Sequence, residues 1–196
     1  MQQANNQSAD CPEVIDQIAA HYREILRLIG EDPAREGLVK TPERAAKALY
    51  YATSGYRTDI DASVNGAIFE APGSGIIVVR DIEFYSFCEH HILPFFGTVS
   101  VGYVPDGKMI GLSKVARIVD AFARRLQVQE RLTVEVCREL MRILQPKGVI
   151  VQCRAQHLCM KMRGVEKQDS STVTLETAGV FATDPDLRHQ FLAAIQ

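Results

Sequence analysis

Residues 98–107 read TVSVGYVPDG. From Thr98 to Val104 apolar side chains alternate with small or polar ones, which places Val99, Val101 and Tyr103 on one face of an extended chain. Pro105-Asp106-Gly107 then supplies a turn. A strand with one apolar face is the mark of an antiparallel sheet covered on one side. Ile76-Ile77-Val78-Val79 reads as a strand before it, and Gly148–Arg163 and Thr172–Phe181 as two long strands after it.

Helical periodicity fills the remaining stretches. Val115, Ile118, Val119, Phe122 and Leu126 mark one amphipathic helix, and Leu132, Val136, Leu140, Ile143 and Leu144 a second. Toward the N-terminus, Val14, Ile15, Ile18, Tyr22, Ile25, Leu26 and Ile29 predict a helix from Pro12 that stops at Gly30. Thr41-Pro42-Glu43-Arg44 opens another, with Thr41 placed to cap and Pro42 at the first position. Asp184-Pro185 opens a short last helix. This order predicts an α+β fold with an antiparallel sheet. It divides into a polar, disordered leader (1–10), an N-terminal helical arm (11–55) and a catalytic domain (56–196).

With 196 residues the chain can bury a real core, and its formal charge of −2 without a basic block argues against a nucleic-acid surface. The opening MQQANNQSAD has neither the basic start nor the apolar run of a signal peptide, and no stretch approaches the roughly 20 apolar residues of a membrane span. A cytoplasmic location is expected. Five cysteines at irregular spacing do not suggest a disulfide framework; they read as ligands or small core residues.

Residues 87–94, FCEHHILP, hold Cys88 and His91 as C-x-x-H, with Glu89 and His90 between them. Far downstream, His157 and Cys159 stand two apart in what reads as a strand, hence on one face. Two pairs of soft ligands propose zinc. If Cys88, His91, His157 and Cys159 all bind, the site is closed and structural; if three bind, one position stays open for water. Cys153 would lie about 20 Å from Cys159 along an extended chain, too far to share an ion. Together with Cys137 and Cys11 it reads as a small apolar residue.

Gly111–Arg117 reads as a helix start with Ser113 as N-cap, so that Lys114 and Arg117 sit in the first turn, where an anion is favoured. Continued alternation would add His157, Cys159, Lys161 and Arg163 on one strand face, with Arg163 about 13 Å beyond Cys159. Gln129 and Glu130 open the next helix and carry groups able to pair with a purine edge. No P-loop or Rossmann glycine pattern occurs, and the H-x-E and P-C-x-x-C signatures of zinc nucleobase deaminases are absent.

The segments FCEHHILPFFG, GLSKVARIVDAFARRLQVQERLT and QHLCMKMRG, in this order, with GLVKTPERAAKAL in the arm, resemble the GTP cyclohydrolase I family over roughly residues 37–181. The resemblance implies a tunnelling fold: an antiparallel sheet with helices packed on one face, whose subunit sheets close into a pentameric barrel. Two pentamers would stack into a homodecamer with active sites at subunit interfaces. It implies Zn2+ on Cys88, His91 and Cys159, with His90, His157 and Ser113 catalytic. Gln129 and Glu130 would bind guanine, and Lys114, Arg117, Arg163 and Arg44 the triphosphate of GTP. The implied reaction opens the guanine imidazole ring at C8, releases formate and yields 7,8-dihydroneopterin triphosphate. The segment Leu175-Glu176-Thr177-Ala178 departs from the Ser/Thr-rich strand usual in that family.

Overall fold

A computed structural model describes residues 11–196; the leader expected at 1–10 lies outside the described residues. In chain order the elements are α1 (Pro12–Leu28), α2 (Thr41–Ala52), a 3-10 turn (Ser54–Arg57), α3 (Ile60–Val64), β1 (Ile68–Glu70), β2 (Ile77–Cys88), β3 (Pro94–Val104), β4 (Lys108–Ile110) and α4 (Leu112–Ala123). There follow β5 (Leu126–Gln127), α5 (Gln129–Leu144), β6 (Gly148–His157), α6 (Leu158–Lys161), β7 (Thr172–Gly179), α7 (Val180–Thr183) and α8 (Pro185–Ala194).

The main sheet has the order β5-β2-β3-β6-β7. It is antiparallel except at the two-residue β5, which runs parallel to the end of β2. The alternation at Thr98–Val104 has the expected consequence: Phe95, Val99, Val101 and Tyr103 of β3 and Val149, Val151, Cys153 and Ala155 of β6 share one buried face. On that face α4 and α5 lay down Val115, Ile118, Val119, Phe122, Leu132, Val136, Leu140 and Leu144, closing the main core. Burial of each large aliphatic side chain stabilises by about 1.5–3 kcal/mol, so this layer carries the fold.

Among the described residues the opposite face is covered only at one end. There α8, capped by Asp184 accepting from the amides of Asp186 and Leu187, presses Phe191 against Val104, Ile150 and Phe181. Gly102 makes room for it, since a Cβ there would stand 2.6 Å from the Phe191 ring. Helices α1 and α2 form a separate small cluster of Ile15, Ala19, Ala46 and Tyr50.

Several local expectations are corrected. Thr41 and Ser113 do not cap: the N-cap residues are Lys40 and Gly111, without side-chain caps, and Ser113 sits inside the first turn of α4. The strand expected across Gly148–Arg163 stops at His157, where the chain coils into α6. His157, Cys159, Lys161 and Arg163 therefore do not form one strand face, and Arg163 is not carried about 13 Å away in extended chain. The strand expected to reach Phe181 ends at Gly179, whose φ of 62° breaks the ladder. In the other direction, the strand read at Ile76–Val79 continues to Cys88 through an irregularity between Val79 and Ile82, where Asp81 has φ 57°.

Gly97 lies directly against the β6 backbone: a Cβ would lie 1.9 Å from the carbonyl oxygen of Arg154 and 2.8 Å from Ala155 Cα. Backbone on both sides leaves nothing flexible to yield. Gly97→Ala is expected to cost roughly 1–3 kcal/mol, lowering the thermal midpoint by roughly 3–10 °C in a melting experiment. An unchanged midpoint would show that the two strands can part without penalty.

Candidate metal centre and active site

The register of three strands assembles the site. Antiparallel pairing sets Phe87 opposite Pro94, so Cys88 ends β2 and residues 89–93 form the turn to β3. That turn is tied by Cys88 N to Leu93 O (2.9 Å) and Ile92 N to Cys88 O (2.8 Å), with Ile92 at φ 53°. β3 in turn pairs with β6 and sets Phe95 opposite His157. The turn carrying C-x-x-H and the coil after His157 thus meet at one end of the sheet.

The ligand atoms of Cys88, His91 and Cys159 all lie within 4.8 Å of one another. Cys88 Sγ is 3.8 Å from Nδ1 of His91, close to the roughly 3.6 Å edge of a tetrahedron built on zinc–sulfur and zinc–nitrogen bonds. His90 Nδ1 is also 3.8 Å from Cys88 Sγ, yet His90 does not belong to the three-residue group. Cys88 is buried, Cys159 half-buried and His91 exposed, which suits an ion reached from one side. Burial, then the neighbouring Cys88 thiol, push Cys159 up from its ordinary value. Two facing thiols resist ionising until a cation compensates them, and a Cys2His set matches zinc in donor type.

His157 stands beside this group but outside it. Its Nε2 lies 2.9 Å from Gln129 Oε1, and its ring stacks on Phe95 at 4.7 Å between centroids and 2° between planes. Burial lowers its pKa, and the charge of Glu130 acts in the opposite direction. Glu130 is exposed in the first turn of α5, whereas Gln129 just before it is 1% exposed.

Of the expected cations, Arg117, Arg163 and Arg44 are exposed. The charge of Arg163 favours the Cys159 thiolate, which places it near the metal group. Lys114 is half-buried and donates from Nζ to the Ser63 carbonyl at 2.6 Å, while Lys161 donates to Gln156 Oε1 at 2.9 Å. Ser113 is exposed. Cys137 and Cys153 are buried, and burial pushes each thiol up to about 12. They are inert core residues, as their pattern suggested. Cys11 is half-buried at the start of α1.

Sequence reading did not find the brace that holds the metal turn. Arg131 of α5 pairs with Glu89 and also donates to Gln127 Oε1 (2.7 Å) and Leu126 O (3.2 Å). Gln127 passes the link to Glu135 Oε2 (2.6 Å), and Glu89 N donates to Gln127 O (3.0 Å). Arg131 lowers the pKa of Glu89, keeping it ionised beside the ligands. Nothing in the spacing of Glu89 and Arg131, 42 positions apart, announces the pair.

Fold and site together describe an α+β protein whose antiparallel sheet carries, at one end, a Cys-His-Cys group able to hold a metal ion. Comparison with known proteins narrows this. The family model described as GTP cyclohydrolase I matches residues 18–196. A protein of Leptospira biflexa named GTP cyclohydrolase 1 is 58% identical over 173 residues, 88% of this chain and 94% of that one. One of the same name from Alkalilimnicola ehrlichii is 52% identical over 181 residues, 92% and 98% of the two chains. Among solved structures, the apo form of an archaeosine synthase QueF-like aligns with TM-score 0.45 and 17% identity over 55% of this chain and 96% of that one, too slight a likeness to decide anything. The chain belongs to the GTP cyclohydrolase I family.

The geometry groups three candidate ligands and leaves His157 outside them, and metal analysis can test that. Cys159→Ala is expected to lose stoichiometric zinc, whereas His157→Ala keeps it. Equal loss in both would make His157 a fourth ligand.

Proposed function

We propose that this chain hydrolyses GTP to formate and 7,8-dihydroneopterin triphosphate with zinc held by Cys88, His91 and Cys159. The observation that carries this reading is the convergence of those three ligand atoms within 4.8 Å at the sheet end where His157 and Glu130 also act on one another. When bound, zinc supplies a Lewis acid that brings the pKa of water down to about 7.

The chain's own residues perform the rest. Glu130, charged and exposed at the start of α5, accepts from two N–H groups of the guanine edge. His157, held by Phe95 and partly desolvated, carries a proton to N7 as the imidazole ring opens at C8. His90, beside Cys88 and exposed, serves the later proton transfers as formate leaves and the ribose opens and recloses. Ser113 acts at the ribose. Arg117 and Lys114 from α4 and Arg163 after α6 hold the triphosphate, Lys114 releasing the Ser63 carbonyl to do so. Arg44 reaches the phosphates from the arm of a neighbouring subunit.

That last role rests on an assembly. β7 is an edge strand with Val173 and Leu175 about half exposed, and on the other side β5 covers only Phe87 and Cys88 of β2. Open edges of this length invite pairing with another copy, which supports closure of five sheets into a barrel and stacking of two barrels into a decamer. No described helix is long and apolar enough to cross a membrane, and the five cysteines are free thiols, which favours a reducing, cytoplasmic setting.

A formate-release assay on GTP, run beside metal analysis, tests the proposal. Chelator-stripped protein should release none, and zinc should restore release. Loss of the Glu130 carboxylate in Glu130→Gln is expected to lower kcat/KM about 10- to 100-fold, the value of a charged hydrogen bond. Zinc-loaded protein that releases no formate from GTP would end this reading.

A further inference from the structure

Gln129 was expected to read guanine, but both ends of its side chain are engaged inside the protein. The amide nitrogen lies 3.0 Å from the carbonyl oxygen of Cys153, 3.0 Å from that of Thr172 and 3.2 Å from Thr174 Oγ1. Two of these partners are backbone carbonyls, which can only accept. Rotating the amide by half a turn would aim its oxygen at both of them. The nitrogen must therefore point inward and Oε1 outward.

A hydroxyl chain locks the same direction. Thr133 Oγ1 lies 2.8 Å from the backbone oxygen of Gln129, so its proton goes there. Its oxygen, 2.6 Å from Thr174 Oγ1, then accepts the proton of Thr174. Thr174 Oγ1 is left as a third, longer acceptor that shares one of the two hydrogens of the Gln129 amide nitrogen. These directions are mutually consistent, with the Cys153 thiol also within hydrogen-bonding reach of both hydroxyls.

Oε1 of Gln129 can only accept, and it faces His157 Nε2 at 2.9 Å. Nε2 must carry a hydrogen. In the neutral ring that leaves Nδ1 bare, and no protein group among the described residues bonds to Nδ1. Every buried side-chain nitrogen or oxygen in the described residues has a partner, so Nδ1 is open to solvent. The Phe95 ring, 2° from parallel, keeps the imidazole from tilting out of this arrangement.

We propose that Gln129 is a positioning residue: with Thr133 and Thr174 it holds His157 as the Nε2–H tautomer, so that Nδ1 is the atom through which His157 exchanges protons with substrate. This rests on the reading of His157 as the proton carrier. The tautomer itself can be observed without turnover, which separates the two claims.

Solid-state 15N spectra of sedimented, zinc-loaded protein labelled at histidine provide the test, at about pH 8.5, above the ordinary histidine range. A His157→Gln sample identifies the His157 signals. The expected result is a protonated Nε2 and an unprotonated Nδ1 on His157. An Nδ1–H tautomer, or an even mixture, overturns the proposal whether or not formate is released from GTP. Kinetics supply a second arm. Gln129→Met should lower kcat on the order of 10²-fold with KM for GTP unchanged, and its His157 should show a mixed tautomer. A raised KM with kcat retained would return Gln129 to reading the base and overturn the positioning role.

Discussion

Pairing between β3 and β6 is the constraint on which the rest of the molecule depends. One register, from Phe95 opposite His157 to Val104 opposite Gly148, performs three tasks at once. It aligns the buried faces of both strands under α4 and α5, and it brings the β2–β3 turn level with the end of β6. It also stacks Phe95 on His157. A slip of one residue would turn every core side chain of β6 to the wrong face and carry His157 away from the metal group. The close approach at Gly97 makes such a slip sterically as well as energetically unfavourable.

The metal turn is held from outside as well as from within. Hydrogen bonds across residues 88–93 shape it, but its attachment to α5 comes from the Glu89–Arg131 pair and the Gln127 amide behind it. Gln127 is buried, whereas Arg131 and Glu89 in front of it are partly exposed, so their pairing contributes little to global stability. Its effect is orientational: the helix that begins with Gln129 and Glu130 cannot shift without taking the ligand turn with it. The start of α5 and the turn that carries Cys88 and His91 thereby keep a constant separation.

Alternation and helical periodicity made the main layers legible in the sequence. Thr98–Val104, the α4 and α5 patterns and the Asp184 cap required only local rules, and local rules suffice where one face is buried. The coil after His157 was not legible that way, because His157-Leu158-Cys159 continues an apparently strand-like pattern and nothing local marks the break. Only the Cys-His-Cys group and the positive φ of Gly164, 71°, single out this segment in the structure. Cys88 and Cys159 could be nominated from residue type, but choosing between adjacent histidines required the family resemblance and then the geometry. The environment of Gln129 was hidden altogether, since Cys153, Thr172 and Thr174 are distant in sequence and meet only through the β6–β7 ladder.

The hydroxyl ring around Gln129 has a consequence for how such a chain can vary. Thr133 and Thr174 touch no expected ligand, yet each gives the other its direction. Valine at position 133 would preserve volume and burial but let the Thr174 proton swing toward the amide, setting two donors against each other. Positions 129, 133 and 174 are therefore coupled through the direction of their hydrogen bonds. Divergence at these sites should arrive in coordinated steps, even where each single exchange looks conservative.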